Sequence, residues 1–317
     1  MPGSGSPAEP GSPRIVASAV EIAAPAKVNL VLRILNRDRR TGYHDLETVF
    51  QAIELSDRLR IEVTDARGLT LEVEGADVGP REENLVWRAA RSFVDETGVR
   101  GGHSLRLEKV VPAGAGLGGG SSDAAATLLA LNALHDRPLS PSALHRLGAG
   151  LGSDVPFFLA GSATAVAWGR GERLRRLPPL PERPILLLLP EFPVSTREAY
   201  ETLARRREHH GHVPDDPRFA DLASIDWDWV ESRCENDFET VVKAMNRTLA
   251  EATSTLRESG AALTLLAGSG SAIFGVFPDV GAAEAGKRRM EGEGWNAVVT
   301  RTLTALPRPL LVRADRS

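Results

Sequence analysis

The sequence predicts an α+β fold in two domains, on three observations. Strand-like and helix-like hydrophobic patterns are mixed along the chain, without the steady alternation of a doubly wound sheet. The chain has 317 residues, more than one core usually fills. A proline-rich run, LPPLPERP at 177–184, falls past the middle and reads as a boundary. The expected division is a disordered tail at 1–13, a first domain at 14–178 and a second at 179–317.

Each element has a local reason. The opening MPGSGSPAEPGSP is rich in Gly, Ser and Pro and has neither an apolar segment nor an arginine. It reads as a tail, not as a signal or transit peptide. Val16 to Leu35 looks like strand. In KVNLVLRIL, Val28, Leu30, Leu32 and Ile34 fall on one face, and Lys27, Asn29, Val31 and Arg33 on the other. RDRRTGYHD is a charged turn. RLRIEVTDARGLTLEVEG reads as a hairpin turning near Ala66, Arg67 and Gly68. NLVWRAARSFVDETG reads as a helix, with Asn84 as N-cap and Gly98 past its end. HSLRLEKVVP is a strand that runs into five glycines between Pro112 and Ser122. The helix beyond them carries Leu128, Leu131 and Leu134, spaced to bury one face. SPSALHRLGAGLGSDVPFF gives a further helix and a turn. The second half mixes strands (PILLLLP, AIFGVF, NAVVTRTL) with helices (REAYETLARRR, DFETVVKAMNRTLAEATSTLRESG, GAAEAGKRRMEG). No repeat of fixed period is present.

Composition removes several classes of function. The net charge of -4 points to no nucleic-acid surface. A single cysteine, Cys234, excludes an internal disulfide and a multi-thiolate metal site, and fits a reducing, cytoplasmic compartment. ILLLL at 185–189 is far below the roughly 20 residues of a membrane span. His103, His135 and His145 lack metal-ligand spacing and read as surface or helix residues.

The glycine stretch is the chemical signal. Glycine lets backbone N–H groups come close to a ligand, and a helix N-terminus adds unpaired donors and a partial positive charge. Together they form an anion site of the kind that holds phosphate. No Gly-Lys-Ser/Thr follows, so this is not a Walker A loop. No acidic residue closes a second parallel strand about 20 residues on, so it is not the dinucleotide fingerprint. Ser121 and Ser122 offer hydroxyls for the helix cap or for a metal.

PAGAGLGGGSSDAA resembles the central motif of the GHMP kinases, Pro-x-x-x-Gly-Leu-Gly-Ser-Ser-Ala-Ala, with Gly119 and Gly120 inserted and Asp123 a departure. PAKVNLVLRI, GYHDLETVFQ, LGSDVPFFLAG and GSGSAIFGVF agree in order, so the likeness covers nearly the whole chain after the tail. It implies the two-domain GHMP kinase fold, with the active site in the cleft between an ATP-binding and a substrate domain. It further implies an ATP-dependent small-molecule kinase with Mg2+. The longer loop and GYHDLETVFQ resemble the branch whose acceptor is the 2-hydroxyl of CDP-methylerythritol, in the non-mevalonate route to isoprenoids. ATP would lie on Pro112, Ala113, Gly114, Ala115, Gly116, Leu117, Gly118, Gly119, Gly120, Ser121 and Ser122. The expected partners are these two small molecules, with no nucleic acid and no membrane, in a monomer or weak homodimer. The rivals are a homoserine- or mevalonate-type kinase, and a catalytically silent ligand sensor on the same fold.

Phosphoryl transfer needs alignment, charge neutralisation and a group to take the acceptor's proton. On the residues alone an aspartate before VPFF reads first as a helix N-cap; the resemblance implies instead that Asp154 takes that last role. Lys27 is one of four lysines among 38 basic residues, and a chain that favours arginine keeps lysine where a compact charge matters. The resemblance puts Lys27 beside the aspartate and the transferred phosphate, with Asn29 on the same strand face touching substrate. Tyr43 can stack on a cytosine ring and His44 can bond its edge. Tyr200 is the second aromatic by resemblance, or a core tyrosine by periodicity. Asp237 is open between the substrate cleft and a helix cap. Gly268 and Gly270 form a tight turn placed by resemblance beside the phosphate loop.

Overall fold

A computed structural model describes residues 14–37, 44–76, 79–190, 192, 194–210 and 217–313. The 1–13 tail and Tyr43 lie outside the described residues. Two long strands, β1 (Ala19–Arg37) and β2 (His44–Thr64), run antiparallel through the molecule. Then follow β3 (Gly68–Glu74), α1 (Leu85–Thr97), β4 (Gly102–Glu108), α2 (Gly119–Leu134), α3 (Pro141–Leu151), α4 (Val155–Leu159), β5 (Thr164–Gly169) and β6 (Arg173–Arg176). The remainder is β7 (Pro184–Leu188), α5 (Thr196–His210), α6 (Trp227–Arg233), β8 (Glu235–Asn236), α7 (Glu239–Met245), α8 (Arg247–Glu258), β9 (Leu263–Leu266), β10 (Ile273–Val276), α9 (Val280–Gly292), β11 (Ala297–Arg301) and β12 (Leu310–Val312).

Eight strands form one sheet with the path β12-β1-β2-β4-β3, onto which β5, β6 and β8 attach. Four form a second, β11-β7-β10-β9, antiparallel throughout. After β7 the chain returns twice to the larger sheet. β8 pairs in parallel with Val31 and Leu32, and β12 pairs antiparallel with Ala19–Glu21. The expected helix at 84–98 is present. Asn84 Oδ1 accepts from Val86 N at 2.8 Å, and Gly98 ends it in the left-handed region, φ 65°.

Three local expectations are corrected. The hairpin at 58–75 does not form, because β4 lies between β2 and β3, antiparallel to the first and parallel to the second. β3, α1 and β4 make a βαβ unit, whose parallel strands pair side by side while the helix carries the chain back. The short turn from β2 to β3 therefore crosses the end of β4 at Gly102. A Cβ there would stand 1.5 Å from Ala66 O, so only glycine fits.

The alternation along β1 also breaks. Asn29 pairs with Phe50 and Val31 with Val49, which leaves Leu30 as the extra residue of a bulge. Beyond it the faces exchange. Leu32 now shares the side of Lys27 and Asn29, while Val31 joins Val28 in the core between the sheets. Finally, α2 does not bury one face alone. It is buried on nearly all sides from Ser122 to Leu134, because sheet strands and the helices α1, α3 and α4 surround it. Its alanines at 124, 125, 126 and 130 permit that close approach.

His103 and His135 are likewise not at the surface. Both are buried, with their Nε2 atoms 2.8 Å apart. Burial, with His135 adding to it, pushes the His103 pKa down to about 4. His145 is half-buried on α3. Among the described residues no helix is long and apolar enough to cross a membrane, and no group of three or more His, Cys, Asp or Glu is placed to hold a metal.

Candidate active site

A cleft of about 870 Å³ opens between the long strands β1 and β2 and the helix α5. Its walls come from β1 and β2, the glycine loop, the residues before α4, one face of α5, and the turn at Gly268–Ser269. The glycine loop and that turn are interlocked. Gly116 has φ +81°, and a Cβ on it would stand 1.9 Å from Ala267 O. Ala272 N donates to Ala115 O at 3.2 Å. Asn236, buried on β8, donates from Nδ2 to Leu266 O and Gly268 O, each at 2.8 Å, which holds the turn against the loop. Gly118 is the N-cap of α2, so the loop feeds its N–H groups into the first turn of that helix.

Lys27 and Asn29 project from β1 on the cleft side of the bulge. Lys27 is 4% exposed, and its Nζ donates to Asn29 Oδ1 at 2.8 Å and to Gly116 O at 3.0 Å. Asn29 Nδ2 donates to Thr48 Oγ1 at 2.8 Å, and Thr48 donates in turn to Val31 O at 2.6 Å. The lysine is thus aimed by a chain of side chains across both long strands. Asp154 Oδ2 lies 3.3 Å from Lys27 Nζ. Asp154 occupies the N-cap position of α4 but its side chain makes no capping hydrogen bond. It turns instead toward the lysine and the cleft, which removes the cap alternative.

The aromatic residues meet at the other side of the same space. His44 and Tyr200 stack, ring centroids 5.2 Å apart and planes at 27°. Tyr200 packs edge-on against Phe238 at 4.8 Å, beside the core under α5. Tyr200 thus lines the cleft on one side and packs against the core on the other. Burial, and secondarily the charge of Asp154, push its hydroxyl up to about 12. Asp237 neither lines the cleft nor caps α7. It accepts from Ile34 N and from Arg207 Nη2, each at 2.6 Å, while Arg207 Nη1 donates to Ile34 O at 2.5 Å. That arrangement ties α5 to the end of β1.

Sequence reasoning missed one buried cluster. Lys109, three residues before Pro112, pairs with Asp57 and, at 2.8 Å, with Asp123, the fifth residue of α2. Asp57 also accepts from Val110 N and Val111 N, at 2.5 and 2.8 Å. Burial pulls the lysine pKa down, but the two carboxylates outweigh it and hold it above the ordinary value. Burial pushes Asp123 up to about 7, against the pull of Lys109. The cluster pins the strand before the loop to the helix after it. The scarcity of lysine was the one signal that pointed there. Next to it, Ser122 Oγ is buried and has no hydrogen-bond partner among the described residues.

Residues 84–162 match the family model of the GHMP kinases N terminal domain, and 219–297 that of the GHMP kinases C terminal domain. The chain is 42% identical over 286 residues to 4-diphosphocytidyl-2-C-methyl-D-erythritol kinase of Pelotomaculum thermopropionicum, covering 88% of this chain and 96% of the relative. It is 43% identical to the enzyme of that name from Solibacter usitatus, over 81% of each. A crystal structure of 4-(cytidine 5'-diphospho)-2C-methyl-D-erythritol kinase superposes with a TM-score of 0.75 at 36% identity, covering 89% of this chain and 98% of that one. Homoserine kinase from Cytophaga hutchinsonii shares the fold, with a TM-score of 0.68 at 17% identity. With its glycine loop, both family domains and relatives matched over nearly their full length, the chain belongs to the GHMP kinase family of ATP-dependent small-molecule kinases.

Proposed function

We infer that this protein transfers the γ-phosphoryl group of ATP to the 2-hydroxyl of 4-diphosphocytidyl-2-C-methyl-D-erythritol, giving the 2-phosphate and ADP, in the non-mevalonate route to isoprenoid precursors. The observation that carries the reading is the convergence of Lys27, Asp154 and the His44–Tyr200 pair on one cleft floored by the glycine loop. Asp154 takes the proton of the acceptor hydroxyl as that oxygen attacks phosphorus. Lys27 holds the carboxylate in place and places a positive charge where the transferred phosphoryl group becomes more negative. Residues 112–122 bind the triphosphate through backbone N–H groups at the start of α2. Asn29 contacts the acceptor. Tyr200, with Tyr43 as its sequence-assigned counterpart, stacks on cytosine, and His44 bonds the ring edge.

Mg2+ would neutralise charge on the triphosphate as the bond to the γ-phosphorus breaks. Asp154 is the carboxylate on the cleft side of the loop that fits that group, because hard cations take oxygen ligands; the buried hydroxyl of Ser122 lines a separate small pocket and not the cleft. The boundary between the ATP-binding part, 14–178, and the second part, 179–317, falls between β6 and β7 on this reading. The expected assembly is a monomer or weak homodimer. The test is incubation with ATP-Mg and a panel of acceptors, following ADP release. Turnover with the cytidyl alcohol well above that with homoserine or mevalonate is expected. Faster turnover with either of those, or none with any acceptor, overturns the reading in favour of a sibling kinase or a silent sensor.

A further inference from the structure

Lys27 ends a chain of hydrogen bonds whose direction is fixed from its far end. The ammonium has three N–H groups and three acceptors: Asn29 Oδ1 at 2.8 Å, Gly116 O at 3.0 Å and Asp154 Oδ2 at 3.3 Å. A backbone carbonyl and a carboxylate only accept. The Asn29 amide is different, because it carries a carbonyl oxygen on one side and an NH2 group of nearly the same shape on the other. Turned over, it would aim donors at the ammonium in place of an acceptor.

Thr48 decides which way that amide faces. It stands on β2, on the cleft side, next but one to Phe50, which pairs with Asn29 across the ladder. Its hydroxyl has one proton, and 2.6 Å away lies Val31 O, just past the bulge at Leu30. A backbone oxygen cannot donate, so the proton is committed to it. What the hydroxyl offers Asn29 is a lone pair. The NH2 group must therefore face Thr48, as it does at 2.8 Å, and Oδ1 is left for Lys27. All three side chains are buried, where a donor set against a donor is costly. Donation runs one way, from Lys27 to Asn29 to Thr48 to Val31 O.

We propose that Thr48 is a positioning residue for phosphoryl transfer: by fixing the amide of Asn29 it holds the Lys27 ammonium against Asp154 and the transferred group. This rests on the roles given to Lys27 and Asp154 above. Thr48 acts through Asn29 and exchanges no proton with the substrates.

The test is kcat at saturating ATP-Mg and cytidyl alcohol. Sites are counted by calorimetric titration with a non-hydrolysable ATP analogue, so that unfolded protein does not register as lost activity. T48V removes the hydroxyl and keeps the branched shape. Its kcat should fall by roughly 10- to 100-fold, the range of one hydrogen bond to a charged group, while the KM for ATP hardly moves. T48S keeps the hydroxyl and should recover most of the loss. T48A lacks it and should behave as T48V does, which covers the case that valine does not fit. N29A removes the amide through which Thr48 acts, so N29A and N29A/T48V should share one kcat. A kcat within about threefold of wild type in T48V and T48A overturns the assignment. So does a T48S as slow as T48V, or a further fall from N29A to N29A/T48V. K27M separates the two levels of the argument. If K27M is severely slowed and T48V is not, only the role of Thr48 falls. If K27M turns over the cytidyl alcohol as wild type does, the role of Lys27 falls and takes this assignment with it.

Discussion

Replacing Asp154 by asparagine separates chemistry from stability more cleanly than any other change in the cleft. The amide fills the carboxylate's volume and cannot take the acceptor's proton. Loss of a general base costs about 10²–10⁴-fold in kcat, or roughly 3–5 kcal/mol of barrier. The stability cost is bounded by the geometry. A lost N-cap would cost about 1 kcal/mol, but the side chain makes no capping bond to lose. The ion pair with Lys27 is lost, yet the carboxylate is 28% exposed and the lysine keeps its bonds to Asn29 and Gly116. A partly exposed pair is worth about 1 kcal/mol or less. For a chain of this size that is a melting-temperature change of about 4 °C at most. The assay is ADP release under saturating ATP and acceptor, with calorimetric melting of the same preparation and ATP affinity measured separately. kcat should fall by at least 100-fold with ATP binding kept and melting nearly unchanged. A variant within threefold of wild type, folded and stable, would refute the role of Asp154. A large fall in melting temperature with kcat intact would mean the residue is structural after all.

Tyr200→Leu keeps apolar volume beside Phe238 and removes the stacking face, so the KM for the cytidyl substrate should rise by roughly 5- to 150-fold, from about 1–3 kcal/mol of stacking; an unchanged KM, with the KM for ATP also unmoved, would leave Tyr200 as core alone. Gly116→Ala puts a methyl 1.9 Å from Ala267 O at a φ of +81°, so the loop and the second turn must part. It should lower stability by at least about 1–2 kcal/mol and weaken ATP more than the cytidyl ligand, as titration of each would report; equal ATP affinity would show that the loop holds something else. His103 has its pKa pushed down in the folded state, so the unfolded chain binds the extra proton and folding stability falls as the pH drops from about 6.5 to about 4. The loss amounts to about 3 kcal/mol across that window; His103→Gln should flatten this part of the urea-unfolding profile, and an unchanged slope would contradict a buried, neutral His103.

What the sequence made legible was the part whose chemistry restricts residue type. Bare backbone at an anion site demands glycine, and a left-handed helix end demands Gly98, so the loop and α1 could be read directly. The hairpin could not, because a strand-turn-strand pattern is local and nothing in it says that β4 will insert. The faces of β1 were right up to Asn29 and then reversed, since a bulge at Leu30 leaves no mark on the hydrophobic count. Asp57, Lys109 and Asp123 are scattered in sequence and join only through the fold. The burial of His103 and His135 was invisible for the same reason. Asp154 gave the opposite lesson: its local signal was a cap, and only the fold shows that its side chain makes no capping bond and lies beside Lys27.

The second half of the chain is sewn into the first at many points. Besides β8 and β12, Leu303 N donates to Ala52 O at 2.9 Å, Leu55 N to Thr300 Oγ1 at 3.1 Å, and Gln51 Nε2 to Leu303 O at 2.8 Å. Proteins that open by hinge rotation turn about one or two short linkers; here β1 and β2 are fastened to later segments along their length. The walls of the cleft can slide by small shear but cannot swing apart. Substrates must then enter and products leave at the rim of the cleft, without the walls swinging apart. Changes at that rim should govern how quickly ADP and the phosphorylated product escape, and changes at the seam should govern whether the enzyme exists at all.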